Sequence, residues 1–283
     1  MFQPSQYQLL DFGQGRKLER FGPHVLDRPC PAADEAARSD TAAWTRAGAR
    51  YERTDQDRGR WLPAGALPLR WTITRGAMTF ELKVNQFGHL GLFVEQAANW
   101  DWIARRLRRS QRPLEVLNLF AYTGASTLAA AAAGGRVVHV DASRNIVAWA
   151  RRNAARCDLA AAPIRWIVED AVKFVRRELR RGNRYDAVIL DPPSYGHGPK
   201  GQPWKLDEHL PPLLRACAEL TAGRRAFMLL SCHTPGYGPA ELSRCLGDAI
   251  SGPRRADMAA QPLTVEAVDG RKLLCGAAAR WSA

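Results

Sequence analysis

Between residues 114 and 250 a short apolar run gives way, five times, to a longer stretch whose apolar residues recur every three or four positions. The runs cover 114–120, 136–140, 164–168, 186–190 and 224–231; the stretches cover 126–133, 144–157, 171–181, 206–221 and 240–250. Apolar runs of strand length belong to strands buried on both faces, and the 3.6-residue period belongs to helices. Five strand-then-helix units predict an α/β fold, a doubly wound, mostly parallel sheet. Beyond them "PLTVEAV" (262–268) and "RKLLCGAAA" (271–279) flank Asp269-Gly270, a hairpin turn pair. The sheet is therefore expected to finish in a C-terminal antiparallel hairpin and to reach seven strands. Upstream, "LRWTITRG" and "MTFELKV" alternate like two strands around Arg75-Gly76, and "HLGLFVEQ" (89–96) continues them into a small antiparallel unit. A helix over 99–108 sets Trp100, Ile103 and Leu107 on one side. The first 65 residues, rich in Gly, Pro, Asp and Arg, predict only short β pieces and loops. The expected organisation is a small β-rich N-terminal region over 1–95 and a larger α/β domain over 96–283.

Composition changes this picture in three ways. The 283 residues are 46% hydrophobic, which suits one large domain with an appendage. No apolar run approaches the roughly 18 residues of a membrane span. The opening "MFQPSQYQLLDFGQG" has neither region of a secretory leader, so a cytoplasmic protein is expected. Six cysteines (Cys30, Cys157, Cys217, Cys232, Cys245, Cys275) are scattered without CxxC or zinc spacing, which points to reduced thiols and no metal site. Net charge is +13, and residues 96–283 carry 28 Lys/Arg against 17 Asp/Glu while 1–95 are nearly balanced. A basic α/β domain favours a polyanionic partner, nucleic acid above all, although arginine-rich helices also serve as solvated faces.

In open α/β sheets ligands bind beyond the carboxyl ends of the strands. The first such tip, Phe120-Ala121-Tyr122-Thr123-Gly124, has a single glycine where a dinucleotide would need three, and there is no P-loop. A cofactor without phosphates is therefore favoured. The second tip, Asp141-Ala142-Ser143, places an acid where ribose hydroxyls are accepted, or else caps the next helix. The third, Glu169-Asp170-Ala171, offers a carboxylate to an adenine amino group, or again a cap. Together these tips point to an adenosine without phosphates, and S-adenosylmethionine fits. A parallel sheet closed by an antiparallel hairpin suits a class I methyltransferase better than a dehydrogenase.

The fourth tip reads Asp191-Pro192-Pro193-Ser194-Tyr195-Gly196-His197. Two prolines fix the backbone, so that Asp191 and the Pro192 carbonyl can face a planar base on which Tyr195 stacks. Amine methyltransferases carry an aromatic directly after Pro-Pro; here Ser194 intervenes. The fifth tip contains Cys232 and His233. A thiolate at Cys232 would add to cytosine C6 and activate C5 for methylation, with His233 or His197 handling protons. A structural cysteine is the plain alternative. Lys200 and Trp204, in the loop after the fourth tip, are candidates for a phosphate contact and for base stacking.

The segments "VLNLFAYTGASTLAAAAAGG", "VVHVDAS", "VEDAVKFV" and "YDAVILDPPSYGHG" resemble the bacterial 23S rRNA large-subunit methyltransferase I/K family, over roughly residues 85–283. The resemblance implies that Phe120, Tyr122, Thr123, Asp141, Asp170 and Asp191 line the cofactor and substrate site. It implies that "FGHLGLFVEQAANW" (87–100) lies by the methionine end of the cofactor, and that Cys232 matches the nucleophile of the cytosine-C5 members. Residues 1–84 lack the pattern of the PUA-type RNA-binding domain with which those members begin, and the loop at 194–206 departs from their Lys-Phe continuation. The expectation is an S-adenosylmethionine-dependent rRNA cytosine-C5 methyltransferase; N-methylation of a base, guanine N2 included, or of a protein or small molecule are the alternatives.

Overall fold

The computed structural model describes residues 2–55, 58–197, 203–250 and 258–283. The chain forms two compact units, one of Met1–Ala97 with Thr264–Cys275, the other of Ala98–Leu263 with Gly276–Ala283.

In the first unit β1 (Tyr7–Gly13), β2 (Arg16–Phe21), β3 (His24–Pro29), β4 (Ala49–Arg53) and β5 (Gly59–Leu62) form a sheet in chain order. All neighbours are antiparallel except β3 and β4. The weak periodicity of this stretch has a physical cause, because carboxylates stand at inward positions. Glu19 is buried and held by Arg28, Lys17 and the Tyr7 hydroxyl. Burial alone would raise Asp11, but the Trp44 indole, Ser39 and Asp40 bring its pKa down to about 2, and Arg271 closes the cluster at 2.5 Å. β6 (Trp71–Arg75) and β7 (Met78–Leu82) form the hairpin expected around Arg75-Gly76. "HLGLFVEQ" does not continue it as a strand. The Asn85 side chain accepts from the Phe87 and His89 amides, turning the chain, and Val94–Gln96 winds into a 3₁₀ helix.

After helix α1 (Ala97–Arg108) the alternation seen in the sequence becomes β8 (Glu115–Leu119), α2 (Ala125–Ala132), β9 (Arg136–Asp141), α3 (Arg144–Arg156), β10 (Ile164–Val168), α4 (Ala171–Arg180) and β11 (Ala187–Leu190). The segment after β11, read from sequence as a loop, is a small hairpin of β12 (Tyr195–His197) and β13 (Pro203–Lys205). Then follow α5 (Leu206–Leu220), β14 (Phe227–Cys232), α6 (Pro239–Ala249), β15 (Met258–Glu266) and β16 (Lys272–Ser282). The main sheet has seven strands in the order β10-β9-β8-β11-β14-β16-β15. β8 to β11 and β14 are parallel, and β16 runs antiparallel to β14. Val188, Leu190, Met228, Leu230 and Cys232 face a core with α4, α5 and α6, whereas Ala187, Ile189, Phe227 and Leu229 face α1 and α2. Strand alternation thus assigns every residue of β11 and β14 to a side.

At the amino ends of the strands, away from these tips, the buried Asp186 carboxylate takes both forks of Arg112 and Arg224 (2.6–2.9 Å) and the Glu115 amide (2.8 Å). Burial pulls its pKa up, but these donors outweigh burial and hold it well below the carboxylate range. The stabilisation is complete above the unfolded-state value near pH 4 and is lost as pH falls through the lower folded value. Asp186→Asn is therefore expected to destabilise by about 3 kcal/mol at pH 7, with a smaller difference at pH 3. Urea unfolding at the two pH values checks both.

Candidate active site

The β8 tip bends through left-handed backbone at Phe120 (φ 54°), Tyr122 (φ 48°) and Gly124 (φ 92°). For Phe and Tyr this costs on the order of 1 kcal/mol or more each, so neighbouring bonds must hold the turn. They do. The Ala121 amide donates to the Val140 carbonyl (3.1 Å), the Tyr122 amide to Asp141 Oδ2 (2.9 Å), and Asn153 Nδ2 to the Thr123 carbonyl (3.0 Å). Beneath the turn, Asn118 donates to Thr127 (2.8 Å), whose hydroxyl meets His139 Nδ1 at 2.9 Å. A Cβ at Gly124 would stand 3.1 Å from the Ala150 methyl, so the glycine answers both the φ and the close helix approach.

Asp141 ends β9 and is not the cap of α3; Ser143 is, accepting from the Ile146 amide. Burial raises the Asp141 pKa, and the Ser143 amide (2.9 Å) and Tyr122 amide offset this only in part. Each carboxylate oxygen therefore receives one backbone N–H and keeps a second acceptor direction. Vicinal hydroxyls would supply the solvation that burial removes. That is a fit to the ribose of a nucleoside. At the β10 tip Asp170 caps α4 through the Lys173 amide (2.9 Å), while Glu169 is paired with Arg177 at 2.5 Å. Ala171 is buried in the core under α4. Of the three acids, Asp141 has the geometry least explained by capping.

Asp191 follows β11 on the side of Ala187 and Ile189. Ser231 donates to its Oδ1 at 2.8 Å, and His233 Nε2 lies 3.5 Å from the same oxygen. Ser231 has no role in the sequence reading; its one signal is a hydroxyl at the end of an otherwise apolar strand. Pro192 is buried, and Pro193 presents its carbonyl to the Trp204 indole N–H (2.7 Å). Trp204, expected to stack on a base, is buried between Phe120 (4.8 Å) and His209 (5.4 Å, stacked), so its faces and its donor are already engaged. The hairpin explains this, since β13 turns Trp204 back over the β8 tip. Tyr195 is 57% exposed at the hairpin's start. His197 lies in β12, and Lys200 falls outside the described residues.

Cys232 is the last residue of β14 and alternates to the other side from Ser231. Its thiol is fully buried with the Met228 and Leu230 side of the sheet. Burial pushes its pKa up, against donors from Thr234, whose amide meets Sγ at 3.4 Å. A thiol buried in the core on the opposite side of β14 from Ser231, with its pKa raised by burial and also by the Asp191 charge, is poorly placed as the expected nucleophile.

A family model described as S-adenosylmethionine-dependent methyltransferase matches residues 36–244. A solved SAM-dependent methyltransferase from Agrobacterium tumefaciens is 35% identical with a TM-score of 0.90, covering 98% of this chain and 90% of its own. A Streptococcus mutans structure, proposed to be a SAM-dependent methyltransferase, shares the fold at TM-score 0.76 and 15% identity, covering 99% of this chain and 76% of its own. Among curated proteins, the ribosomal RNA large subunit methyltransferase K/L of Shewanella sp. strain MR-4 is 33% identical over 122 residues, 41% of this chain. That of Chromohalobacter salexigens is 30% identical over 132 residues, 46% of this chain. The matched segments span only 16% and 17% of those two proteins. Among the described residues no helix is long and apolar enough to cross a membrane, and no group of acidic, His and Cys side chains is arranged to hold a metal ion.

Proposed function

Because the chain belongs to the S-adenosylmethionine-dependent methyltransferase family, we propose that it methylates RNA, and that the acceptor is a base nitrogen held at the Asp191-Pro192 tip. The cofactor supplies an electrophilic methyl group on a sulfonium. Asp141 and the strained Phe120–Gly124 turn hold its nucleoside end. The two prolines fix the backbone after β11, and Ser231 fixes the Asp191 carboxylate. That carboxylate accepts one N–H of the base and aims the nitrogen lone pair. A base nitrogen that took up that methyl group would gain positive charge and would have to give up a proton. His233, beside Asp191, is the side chain placed to take it.

The observation that carries the nitrogen reading is the division of β14. Ser231 turns to Asp191, and Cys232 turns into the core. The RNA reading draws support from the large-subunit methyltransferases matched over part of this chain and from the positive charge of residues 96–283. A second reading, cytosine C5 with Cys232 as nucleophile, is favoured by the thiol's strand-end position and the Thr234 amide at 3.4 Å.

Cys232→Ala separates them. It is expected to cost about 1 kcal/mol of stability, to keep methyl transfer to RNA within about threefold, and to leave RNA containing 5-fluorocytosine without a covalent adduct in either protein. An adduct with the wild type that Cys232→Ala abolishes would establish the C5 reading instead. Labelled methyl found only on protein or small molecules would remove the RNA reading altogether.

A further inference from the structure

The acids of β10 and α4 are spoken for, two of them by Arg177 and Arg181, and the other cations of this stretch outnumber them. Between residues 165 and 184 the chain carries six arginines and one lysine against three acids. Glu169 is paired with Arg177, Asp170 caps α4, and Glu178 is buried, accepting from Tyr185 (2.7 Å) and Asn183 (2.8 Å). Ala171, Phe174, Val175 and Glu178 mark the inner side of α4. Lys173, Arg176 and Arg180 stand at i, i+3 and i+7 on the opposite side, all exposed and none with a carboxylate partner among the described residues.

Two neighbours extend this stripe. β10 is the edge strand of the sheet, and exposed Arg165 is paired in register with Val138, which faces the α4 side. Arg184 follows α4 and is also exposed. The helix dipole accounts for cations at the C-terminal end of α4, but it disfavours Lys173 in the first turn. A merely solvated face would be expected to mix signs, with acids near the helix start. The stripe also begins at the site, since Asp170, which caps α4, lies two residues past Val168, the β10 partner of Asp141.

We infer that the outer face of α4, with Arg165 and Arg184, is the track that grips the phosphate backbone of the substrate RNA. This rests on the RNA reading above. Arginine forks match phosphate oxygens in pairs, and successive charges about one helical turn apart give a ladder roughly 10 Å long from Lys173 to Arg180. Such contacts set affinity and its salt dependence without reading sequence.

The test is filter binding of protein-free large-subunit ribosomal RNA over a salt series, for the wild type, for Arg176→Gln/Arg180→Gln, and for Arg244→Gln. Arg244 lies on α6, paired with Glu241 and Asp248, and serves as an exposed control. The double variant is expected to bind about tenfold or more weakly at 0.1 M salt, with the slope of log K against log salt reduced by about two. KM for RNA should rise, while kcat at saturating RNA and S-adenosylmethionine affinity hold. If the wild type binds RNA and the double variant binds as tightly with the same slope, the track is elsewhere and the RNA reading stands. If the wild type neither binds nor methylates RNA, that reading fails and the track falls with it. If the double variant keeps RNA but loses binding to phosphatidylserine vesicles, the face serves an anionic membrane and the inference is overturned.

Discussion

Asp141→Ala is expected to weaken S-adenosylmethionine binding by about 100-fold or more. A hydroxyl-to-carboxylate hydrogen bond contributes about 1.5–3 kcal/mol, and two such bonds are lost together; each 1.4 kcal/mol is tenfold. The raised pKa of this carboxylate sharpens the expectation. Burial already costs the free protein more than the Tyr122 and Ser143 amides return, so incoming donors meet an acceptor short of solvation. The same shift sets a pH dependence. Asp141 takes up its proton at a higher pH than an ordinary aspartate, so affinity should fall as pH drops while most carboxylates are still ionised. Asp141→Asn tests the charge while keeping an acceptor for one of the two amides. Calorimetric titration with S-adenosylmethionine, alongside circular dichroism to confirm the fold, measures both variants. An affinity within about threefold of the wild type for Asp141→Ala would remove the residue from the ribose site.

The second large effect belongs to Asp191. Asp191→Ala should lower kcat for methyl transfer by 10² to 10⁴, in the range found when a positioned acid–base or charge-stabilising group is deleted. The substitution removes the acceptor that aims the base nitrogen, the partner of Ser231 and the anchor of His233. The Asp191 side chain is only partly buried, at 28% exposure, so the protein should fold and bind S-adenosylmethionine as before. Ser231→Ala, which deletes one bond to Asp191, should cost about tenfold. A kcat for Asp191→Ala within about fivefold of the wild type, measured with labelled cofactor and ribosomal RNA, would show that the tip is a strand terminator and no more.

The parallel part of the fold is plain in the sequence because strands buried on both faces need unbroken apolar runs. Val116 to Leu119 and Ala187 to Leu190 are almost wholly buried, and nothing polar interrupts the pattern except Asn118, whose side chain is itself hydrogen-bonded to Thr127 of α2. The first unit hides its strands for the opposite reason. Glu19 and Asp11 occupy inward positions of β2 and β1; the arginine that compensates Glu19 is on the neighbouring strand β3, and the one that compensates Asp11, Arg271, lies 260 residues away. Local alternation has no means of showing such pairs. The site divides along the same line. Asp141 and Asp191 are legible as acids closing apolar strands. Trp204 is not, because its burial depends on the β12–β13 hairpin laying it across Phe120. Nor is the inward turn of Cys232, since strand parity at a terminus is set by the register with Ala277 on β16 and by no feature of the tetrapeptide around it.

The hairpin of β15 and β16 has a consequence for how the chain can be taken apart. Residues Thr264–Cys275 belong to the first unit, yet the remainder of β16, from Gly276, pairs with β14 in the second. The first unit is thus assembled from two stretches separated by more than 160 residues. Its closing strands leave the ribosome after nearly all of the second unit has been made. No single cut of the polypeptide yields either unit whole. A fragment ending before residue 264 strips one sheet of its Arg271 anchor and the other of its antiparallel neighbour in the same stroke.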